Sequence, residues 1–287
     1  DHDHMSTYQG DFERLTDTFL RFVHNLPFYG LAVLCADDPA VQRMRERILR
    51  PVVSYGIETP ADYNAMNVSQ SGSRMQFDTT TADGKVFSVD LALPGLHNVR
   101  NALAAIAVAD KVGIKTQAIV YGLREFSGID RRFEILGDIR LPDGKALLVD
   151  DYAHHPSEIA ATLSAAEGCW PDRRKVVVFQ PHRFSRTRDL MDDFSSLLSD
   201  VDCLVVTEVY AAGEKPAASA DGRALCRSIR VRGGVDPVFA PNIDRLRETL
   251  LPLLQADDVV LTLGAGSIGK AARALISSMH LCEESFG

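Results

Sequence analysis

Cysteine is scarce in this 287-residue chain: it has five cysteines, scattered and without a CxxC pair. This favours buried thiols in a reducing, cytoplasmic compartment over a disulfide framework or a zinc site. Positive charge is also in deficit, with 31 Lys and Arg against 39 Asp and Glu and a net charge of −8. That balance argues against nucleic acid or an anionic membrane as the partner. No apolar run approaches the roughly 20 residues that a membrane-spanning helix needs.

What is present is an ordinary globular composition, 46% hydrophobic and 24% charged, with room for about two domains. We place the boundary near Gly128–Asp130, giving domains 1–129 and 130–287. The second domain alternates short β-branched runs with amphipathic stretches, which predicts an α/β fold with a mostly parallel sheet. Its predicted strands are Ala146–Val149, Lys175–Phe179, Cys203–Thr207, Pro237–Ala240 and Val259–Leu263; its predicted helices are Pro156–Glu167, Thr187–Leu198, Gly222–Ile229, Asp244–Leu254 and Gly269–Ser278.

The first domain is less regular. A strand is expected at Leu31–Leu34 and antiparallel strands within residues 65–93. Helices are expected at Asp11–His24, Ala40–Leu49, Asn98–Val112 and Gln117–Phe126.

A glycine-rich segment, Gly264–Lys270, follows a predicted strand and opens a helix. It satisfies both G-x-G-x-x-G and G-x-x-x-x-G-K, but Ala271 stands where a phosphate-binding loop needs Ser or Thr. No further strand remains to carry the acidic residue of a dinucleotide site. We therefore interpret the glycines as a tight strand-to-helix turn.

Two polar loops follow consecutive predicted strands. The segment Gln180–Arg188 holds three arginines and a histidine, which suits an anion at a helix N-terminus. The segment Asp150–Pro156 holds two carboxylates, a phenol and two imidazoles. Ligands bind beyond the carboxyl ends of parallel strands, so the two loops predict one cleft for a molecule with a carboxylate and an ammonium. A solvated basic loop, helix capping and metal binding are the alternatives.

Two smaller features are ambiguous. Asn98 and Asn101 lie three residues apart on one predicted helix face, where their amides could read a heterocycle edge, although Asn98 could simply cap the helix. Arg131 and Arg132 lie at the boundary, as surface charge or as a group that reaches a phosphate in the neighbouring domain.

These motifs, in this order, resemble the Mur ligases of peptidoglycan synthesis. The resemblance runs over essentially the whole chain, through Asp3–Met5, Tyr8–Phe12, His24–Gly30, His97–Asn101, Arg131–Phe133, Asp150–Pro156, Gln180–Asp189 and Gly264–Lys270. It implies the later part of a central ATP-binding domain followed by a Rossmann-like domain for the incoming amino acid. It also implies an ATP-dependent, amide-forming ligase that uses magnesium. The loop around His182 is most similar to that of members adding L-alanine to UDP-N-acetylmuramate.

The resemblance implies specific roles. His4 corresponds to a magnesium ligand, and His97, Asn98 and Asn101 to the adenine site. Arg132 and Asp151 correspond to a catalytic pair that reaches ATP from the second domain. The amino-acid pocket would comprise Tyr152, His154, His182, Arg183 and Arg186.

This sequence also departs from the family pattern. It has no GK[ST] loop, no domain for the UDP-sugar and no Lys before Lys85. We therefore expect a fragment that is inactive alone, with its oligomeric state left open. The alternatives are a ligase that recycles a murein tripeptide and a non-catalytic, nucleotide-responsive module.

Overall fold

The computed structural model describes residues 8–277. Its contacts divide the chain into two compact units, the first ending at Ser127 and the second beginning at Gly128. No helix within 8–277 has the length and apolar character needed to cross a bilayer.

The first unit is built on a five-stranded sheet in the order β1-β2-β3-β4-β5. The first three strands are parallel and the last three form antiparallel pairs. The elements are α1 (Phe12–His24), β1 (Ala32–Cys35), α2 (Pro39–Arg45), β2 (Val52–Gly56), β3 (Tyr63–Ser71), β4 (Arg74–Thr80), β5 (Val86–Leu91), α3 (Leu96–Lys111) and α4 (Thr116–Glu125).

Helix α3 supplies much of this unit's core. Val99, Leu103 and Ile106 recur at helical spacing, are fully buried, and pack with strand residues such as Phe77 and Val89. The packed face of α3 fixes its first turn, which carries the predicted adenine-site residues, against the sheet.

The second unit holds a six-stranded sheet in the order β10-β9-β8-β11-β7-β6. All neighbours are parallel except β6 and β7. The elements are β6 (Glu134–Leu141), β7 (Gly144–Asp151), α5 (Pro156–Cys169), β8 (Lys175–Phe179), α6 (Phe184–Asp189), α7 (Met191–Leu198), β9 (Cys203–Thr207), α8 (Gly222–Arg232), β10 (Val238–Ala240), α9 (Leu246–Leu250), β11 (Val259–Leu263) and α10 (Ile268–Ser277).

Strands β8, β9 and β11 are buried along their whole length. Their side chains enter two core clusters on opposite faces of the sheet: Val177 and Leu204 in one, Val176 and Val205 in the other. This explains why these strands read as continuous apolar runs. The α/β class and the mostly parallel sheet predicted from the sequence are confirmed.

Several predicted elements differ in detail. The predicted helix Thr187–Leu198 breaks into α6 and α7 at Leu190, whose φ of −117° and ψ of 23° are not helical. The predicted helix Asp244–Leu254 is a short α9 between two 3₁₀ turns, because Pro252 cannot donate a helical hydrogen bond. Helix α2 ends at Arg45, four residues before the predicted end at Leu49.

Two strands were not predicted. Strand β2 is short and carries buried Ser54, whose backbone N–H and hydroxyl both donate to Asp62. Strand β6 is the antiparallel edge strand, half-exposed along most of its length. Neither shows the apolar run or regular alternation that marks a strand in a sequence.

The four cysteines among residues 8–277 are free thiols: Cys35, Cys169, Cys203 and Cys226. Burial raises the pKa of the Cys226 thiol to about 11. Burial also raises the pKa of the Cys203 thiol, so these two buried cysteines behave as inert core groups.

Candidate functional site

The first cluster of predicted residues lies on the first turn of α3. The helix N-cap is Gly95, at φ 92°, so Asn98 lies inside the helix and the interpretation of Asn98 as its cap is wrong. The Asn98 Nδ2 donates to the carbonyl of Pro94 at 2.8 Å, and the Asn101 Nδ2 lies 3.4 Å from the Asn98 Oδ1. The two amides thus share one face, beside half-buried His97.

Arg100, between the two asparagines, ties α3 to a neighbouring loop. Its Nε lies 3.0 Å from a carboxylate oxygen of Asp37. Asp37 also accepts backbone hydrogen bonds from Ile57, Glu58 and Thr59. This anchor holds the base of the helix in place, and it was not predicted from the sequence because its partners are distant along the chain.

The predicted magnesium ligand His4 lies outside the described residues. Within residues 8–277 no group of three or more His, Cys, Asp or Glu side chains is placed to hold a metal ion. The magnesium assignment remains a prediction from the resemblance.

The second cluster lies where three neighbouring parallel strands of the second unit end. Strand β11 pairs with β7 on one side and β8 on the other, with Leu263 level with Asp151 and Phe179. The segments that follow these strands therefore emerge at one edge of the sheet. This is the edge at which the sequence predicted a cleft.

Arg131 is part of the framework of this edge. Its Nε donates to the Asp150 Oδ2 at 2.8 Å, and its Nη2 donates to the carbonyl of Gly264. Asp150 is fully buried and also accepts from the hydroxyl of Thr262 at 2.7 Å. A side chain at Gly269 would collide with the Arg131 guanidinium, since an added Cβ would lie 2.3 Å from the Arg131 Nε.

The Gly264–Lys270 segment is thus required for packing. At Gly264, φ is 146° and an added Cβ would lie 2.7 Å from the carbonyl oxygen of Gln180. An added Cβ at Gly266 would lie 2.5 Å from the Gln180 side chain. These close approaches support the interpretation of the glycines as a structural turn.

Arg132 and Asp151 have contrasting surroundings. The Arg132 side chain is 51% exposed, with its Nη1 3.6 Å from Glu158. Asp151 is buried, and its two carboxylate oxygens accept from the backbone N–H groups of Phe133 and Ala153, each at 2.8 Å. Burial raises the Asp151 pKa, partly offset by these hydrogen bonds. Asp151 therefore fixes the loop that presents Arg132.

A capping box at the start of α5 organises the histidines. Glu158 stands at the third helical position and accepts from the backbone N–H groups of His154 and His155 at 3.0 and 3.2 Å. The same oxygen lies 3.1 Å from the His154 Nδ1. Burial would raise the Glu158 pKa, but hydrogen bonds from His154 outweigh it and lower the pKa to about 2.

Four rings form a continuous set at this edge. The His154 ring meets the rings of Tyr152 and His182 edge-on, at centroid distances of 5.3 and 5.6 Å. His182 in turn stacks on Tyr210 at 5.4 Å. Burial first, then the charges of Arg186 and other neighbours, lower the His182 pKa to about 4.

The arginines of the basic loop lie beside these rings. The buried Arg186 places its Nη1 3.3 Å from the His182 Nδ1. Arg183 adopts φ 71°, and its buried Nε has no hydrogen-bond partner among the described residues. Backbone strain of this kind concentrates at functional sites.

The loop after β9 completes the surroundings. Glu214 accepts from the backbone N–H and hydroxyl of Ser185 at 2.9 and 2.6 Å. Tyr210 donates its backbone N–H to Pro181 and accepts from Arg183. The structure therefore brings together Tyr152, His154, His182, Arg183 and Arg186 and adds three residues absent from the sequence prediction: Glu158, Tyr210 and Glu214. Glu158 lies three residues after His155, but the capping-box pattern calls for Ser or Thr at the N-cap, so the sequence carries no clear signal for it. Tyr210 and Glu214 carried no local signal either.

Comparison with known families decides the relationship. The family model for the Mur ligase middle domain matches residues 1–109, and that for the Mur ligase glutamate ligase domain matches residues 131–266. The chain belongs to the Mur ligase family. The resemblance inferred from the motifs is thereby confirmed.

Individual Mur ligases are also similar to this chain over most of its length. The UDP-N-acetylmuramate–L-alanine ligase of Halorhodospira halophila is 56% identical over 269 residues, which cover 94% of this chain and 55% of that protein. The crystal structure of the Thermotoga maritima UDP-N-acetylmuramate–alanine ligase matches with a TM-score of 0.73 and 28% identity, over 98% of this chain and 58% of that one. A murein peptide ligase from Psychrobacter arcticus shares the fold at 24% identity and a TM-score of 0.67, over 92% of this chain and 54% of that one. The chain thus spans a little over half the length of these Mur ligases.

Proposed function

We propose that this chain is the part of an ATP-dependent ligase that binds ATP and L-alanine, and that the whole protein joins L-alanine to UDP-N-acetylmuramate in peptidoglycan synthesis. The 56% identity to a ligase of that name supports this proposal. In the reaction, ATP would phosphorylate the lactyl carboxylate of the sugar nucleotide. The amine of alanine would then attack the acyl phosphate, form the amide and release phosphate.

In this proposal the first unit recognises the adenine base of ATP. The paired amides of Asn98 and Asn101 offer a donor and an acceptor on one face of α3, next to His97. Exposed Arg132 would neutralise phosphate charge as the phosphoryl group transfers, and Asp151 would hold its loop. The resemblance assigns magnesium to His4, which lies outside the described residues, and no group of three or more metal-ligating side chains lies within 8–277.

The observation that carries the proposal is the ring and guanidinium cluster of the second unit. Arg183 and Arg186 offer forked donors for the carboxylate of a small amino acid. The His154 ring contacts both His182 and Tyr152, and these groups suit the ammonium end.

Phosphate release by the intact protein tests this function, with ATP, magnesium and UDP-N-acetylmuramate. The panel is L-alanine, glycine, L-serine, D-glutamate and the murein tripeptide. Release dependent on L-alanine is expected. Preference for the tripeptide would assign the chain to the recycling ligases, and no release from a folded protein would favour the nucleotide-responsive module.

Substitution of the arginines then tests the pocket. Arg186→Ala is expected to raise the KM for alanine by about 10- to 100-fold, because it removes a charged hydrogen bond. Arg188→Ala is the matched control, since Arg188 is 65% exposed and paired with exposed Asp189. Equal effects of the two substitutions would contradict the assignment.

A further inference from the structure

The neighbours of His154 determine which of its nitrogens carries the proton. Its Nδ1 lies 3.1 Å from the Glu158 Oε2 and 3.0 Å from the carbonyl oxygen of Tyr152. Both neighbours are acceptors, so Nδ1 must be the N–H donor. In the neutral ring Nε2 then holds a lone pair and can accept a proton.

The neighbours of His182 place the proton of its neutral ring on the other nitrogen. Its Nδ1 lies 3.3 Å from the Arg186 Nη1, and a guanidinium can only donate. The Nδ1 of His182 is therefore the acceptor, and its Nε2 carries the hydrogen in the neutral ring. Two imidazoles with centroids 5.6 Å apart thus have opposite hydrogen-bonding polarity.

Glu158 is held as an anion behind His154. It accepts two backbone hydrogen bonds and has Arg132 on its other oxygen. A fixed carboxylate on Nδ1 stabilises the imidazolium that forms when Nε2 takes a proton. Other charged groups around the rings include Arg183, Arg186 and Glu214, and Glu214 is already engaged by Ser185. The guanidinium of Arg131 lies 5.2 Å from the centroid of the Tyr152 ring, and that of Arg132 lies 5.4 Å from it.

We propose that His154 is the general base that removes a proton from the ammonium of the incoming amino acid, with Glu158 as its positioning residue and His182 as a donor toward the carboxylate end. This rests on the function proposed above. The ammonium arrives protonated at neutral pH and has no lone pair with which to attack.

One ammonium proton passes to the His154 Nε2, which leaves a neutral amine and an imidazolium. The amine lone pair forms the C–N bond with the acyl carbon, and the C–O bond to phosphate breaks with its electron pair on the departing phosphate. The second amine proton leaves with phosphate or to solvent as the amide forms.

The test compares two nucleophiles in the intact protein. Hydroxylamine is largely unprotonated at neutral pH, so it attacks an acyl phosphate without a base. His154→Gln is expected to lower kcat with L-alanine by about 100- to 10,000-fold while leaving hydroxamate formation within a few fold. Glu158→Gln should lower kcat less and displace the acid limb of the pH profile to lower pH, because the imidazolium loses its anionic partner. Glu248→Gln in α9 is the matched control and should keep that limb, because Glu248 is 62% exposed and paired with exposed Arg245.

If His154→Gln lost equal activity with both nucleophiles, His154 would be structural and the proposal would be overturned. Activity of His154→Gln with L-alanine within tenfold of the unsubstituted protein would also overturn it. A readout independent of activity uses the 287-residue chain. Two-bond proton–nitrogen correlation spectra should show the Nδ1–H tautomer for His154 and the Nε2–H tautomer for His182, and the reverse would also overturn it. If the unsubstituted protein uses no amino acid while the tautomers are as expected, the proposed function fails rather than the polarity of the pocket.

Discussion

The adjacent arginines at the start of the second unit should differ sharply in their effect on stability. Arg131 is 20% exposed and forms an ion pair with fully buried Asp150. Arg132 is 51% exposed and lies 3.6 Å from Glu158, which is itself one-third exposed. The perturbation is Arg131→Met, with Arg132→Met as the neighbouring control of identical chemistry.

The expected losses of unfolding free energy follow from how deeply each ion pair is buried. Removing Arg131 leaves the Asp150 carboxylate buried with the Thr262 hydroxyl as its described partner, which costs about 3–5 kcal/mol of unfolding free energy. Removing Arg132 breaks an exposed ion pair, which costs at most about 1 kcal/mol. The double substitution Arg131→Met with Asp150→Leu should recover much of the loss, since no uncompensated charge then remains.

The assay exploits the single tryptophan of the chain. Trp170 follows α5 and stacks on Phe133 at 6.0 Å, beside the loop that Arg131 anchors. Urea unfolding followed by Trp170 fluorescence therefore reports on the second unit. Equal midpoints for Arg131→Met and Arg132→Met, or a double variant no better than Arg131→Met, would refute the reasoning.

Three further predictions concern stability. Gly222→Ala should destabilise the second unit by about 1–3 kcal/mol, because an added Cβ would lie 2.3 Å from the Thr207 carbonyl oxygen. Gly122→Ala in α4 meets nothing within 4 Å and should stabilise the first unit by about 0.5–1 kcal/mol. Thermal melts of the two variants check that the changes have opposite signs. Asp37→Ala leaves three backbone N–H groups and the Arg100 Nε without their acceptor, so thermal unfolding should show a loss of about 1.5–3 kcal/mol, and an unchanged midpoint would contradict that role. Glu158 has a pKa of about 2 against an ordinary 4.5, so its contribution is present above pH 4.5 and is lost as pH falls toward 2; Glu158→Gln should flatten that part of the acid unfolding curve measured by Trp170 fluorescence.

The buried strands of the second unit were predictable because each is a short, continuous apolar run. Strands β8, β9 and β11 have the predicted bounds. The elements that differ from the prediction depend on single residues, whose effect comes from tertiary contacts. Leu190 breaks one helix, and Ser54 lies in a strand because Asp62 satisfies its polar groups.

The candidate site, like the fold, was predictable only in part. Proximity of the two polar loops followed from the parallel strands, because their carboxyl ends lie at one edge even though β11 separates β7 from β8. The roles of the side chains within each loop did not follow, because they depend on contacts distant in the sequence. Tyr210 and Glu214 reach the site from the loop after β9, and Arg131 reaches Gly264 across 133 residues.

In each of the doubled residues Asp150–Asp151, Arg131–Arg132 and His154–His155, the two copies have different surroundings, and one copy belongs to the buried framework. Strand β7 separates Asp150 from Asp151 because successive side chains of a strand point to opposite faces. Arg131 instead lies in a turn, at φ 59°. Arg131 and Asp150 form the buried pair, while Asp151 fixes the loop that presents Arg132. His155 is the buried N-cap of α5, while His154 meets the rings of Tyr152 and His182. Substitution of the framework copies should therefore change unfolding free energy first, and substitution of Arg132 or His154 should change turnover in a protein of nearly unaltered stability.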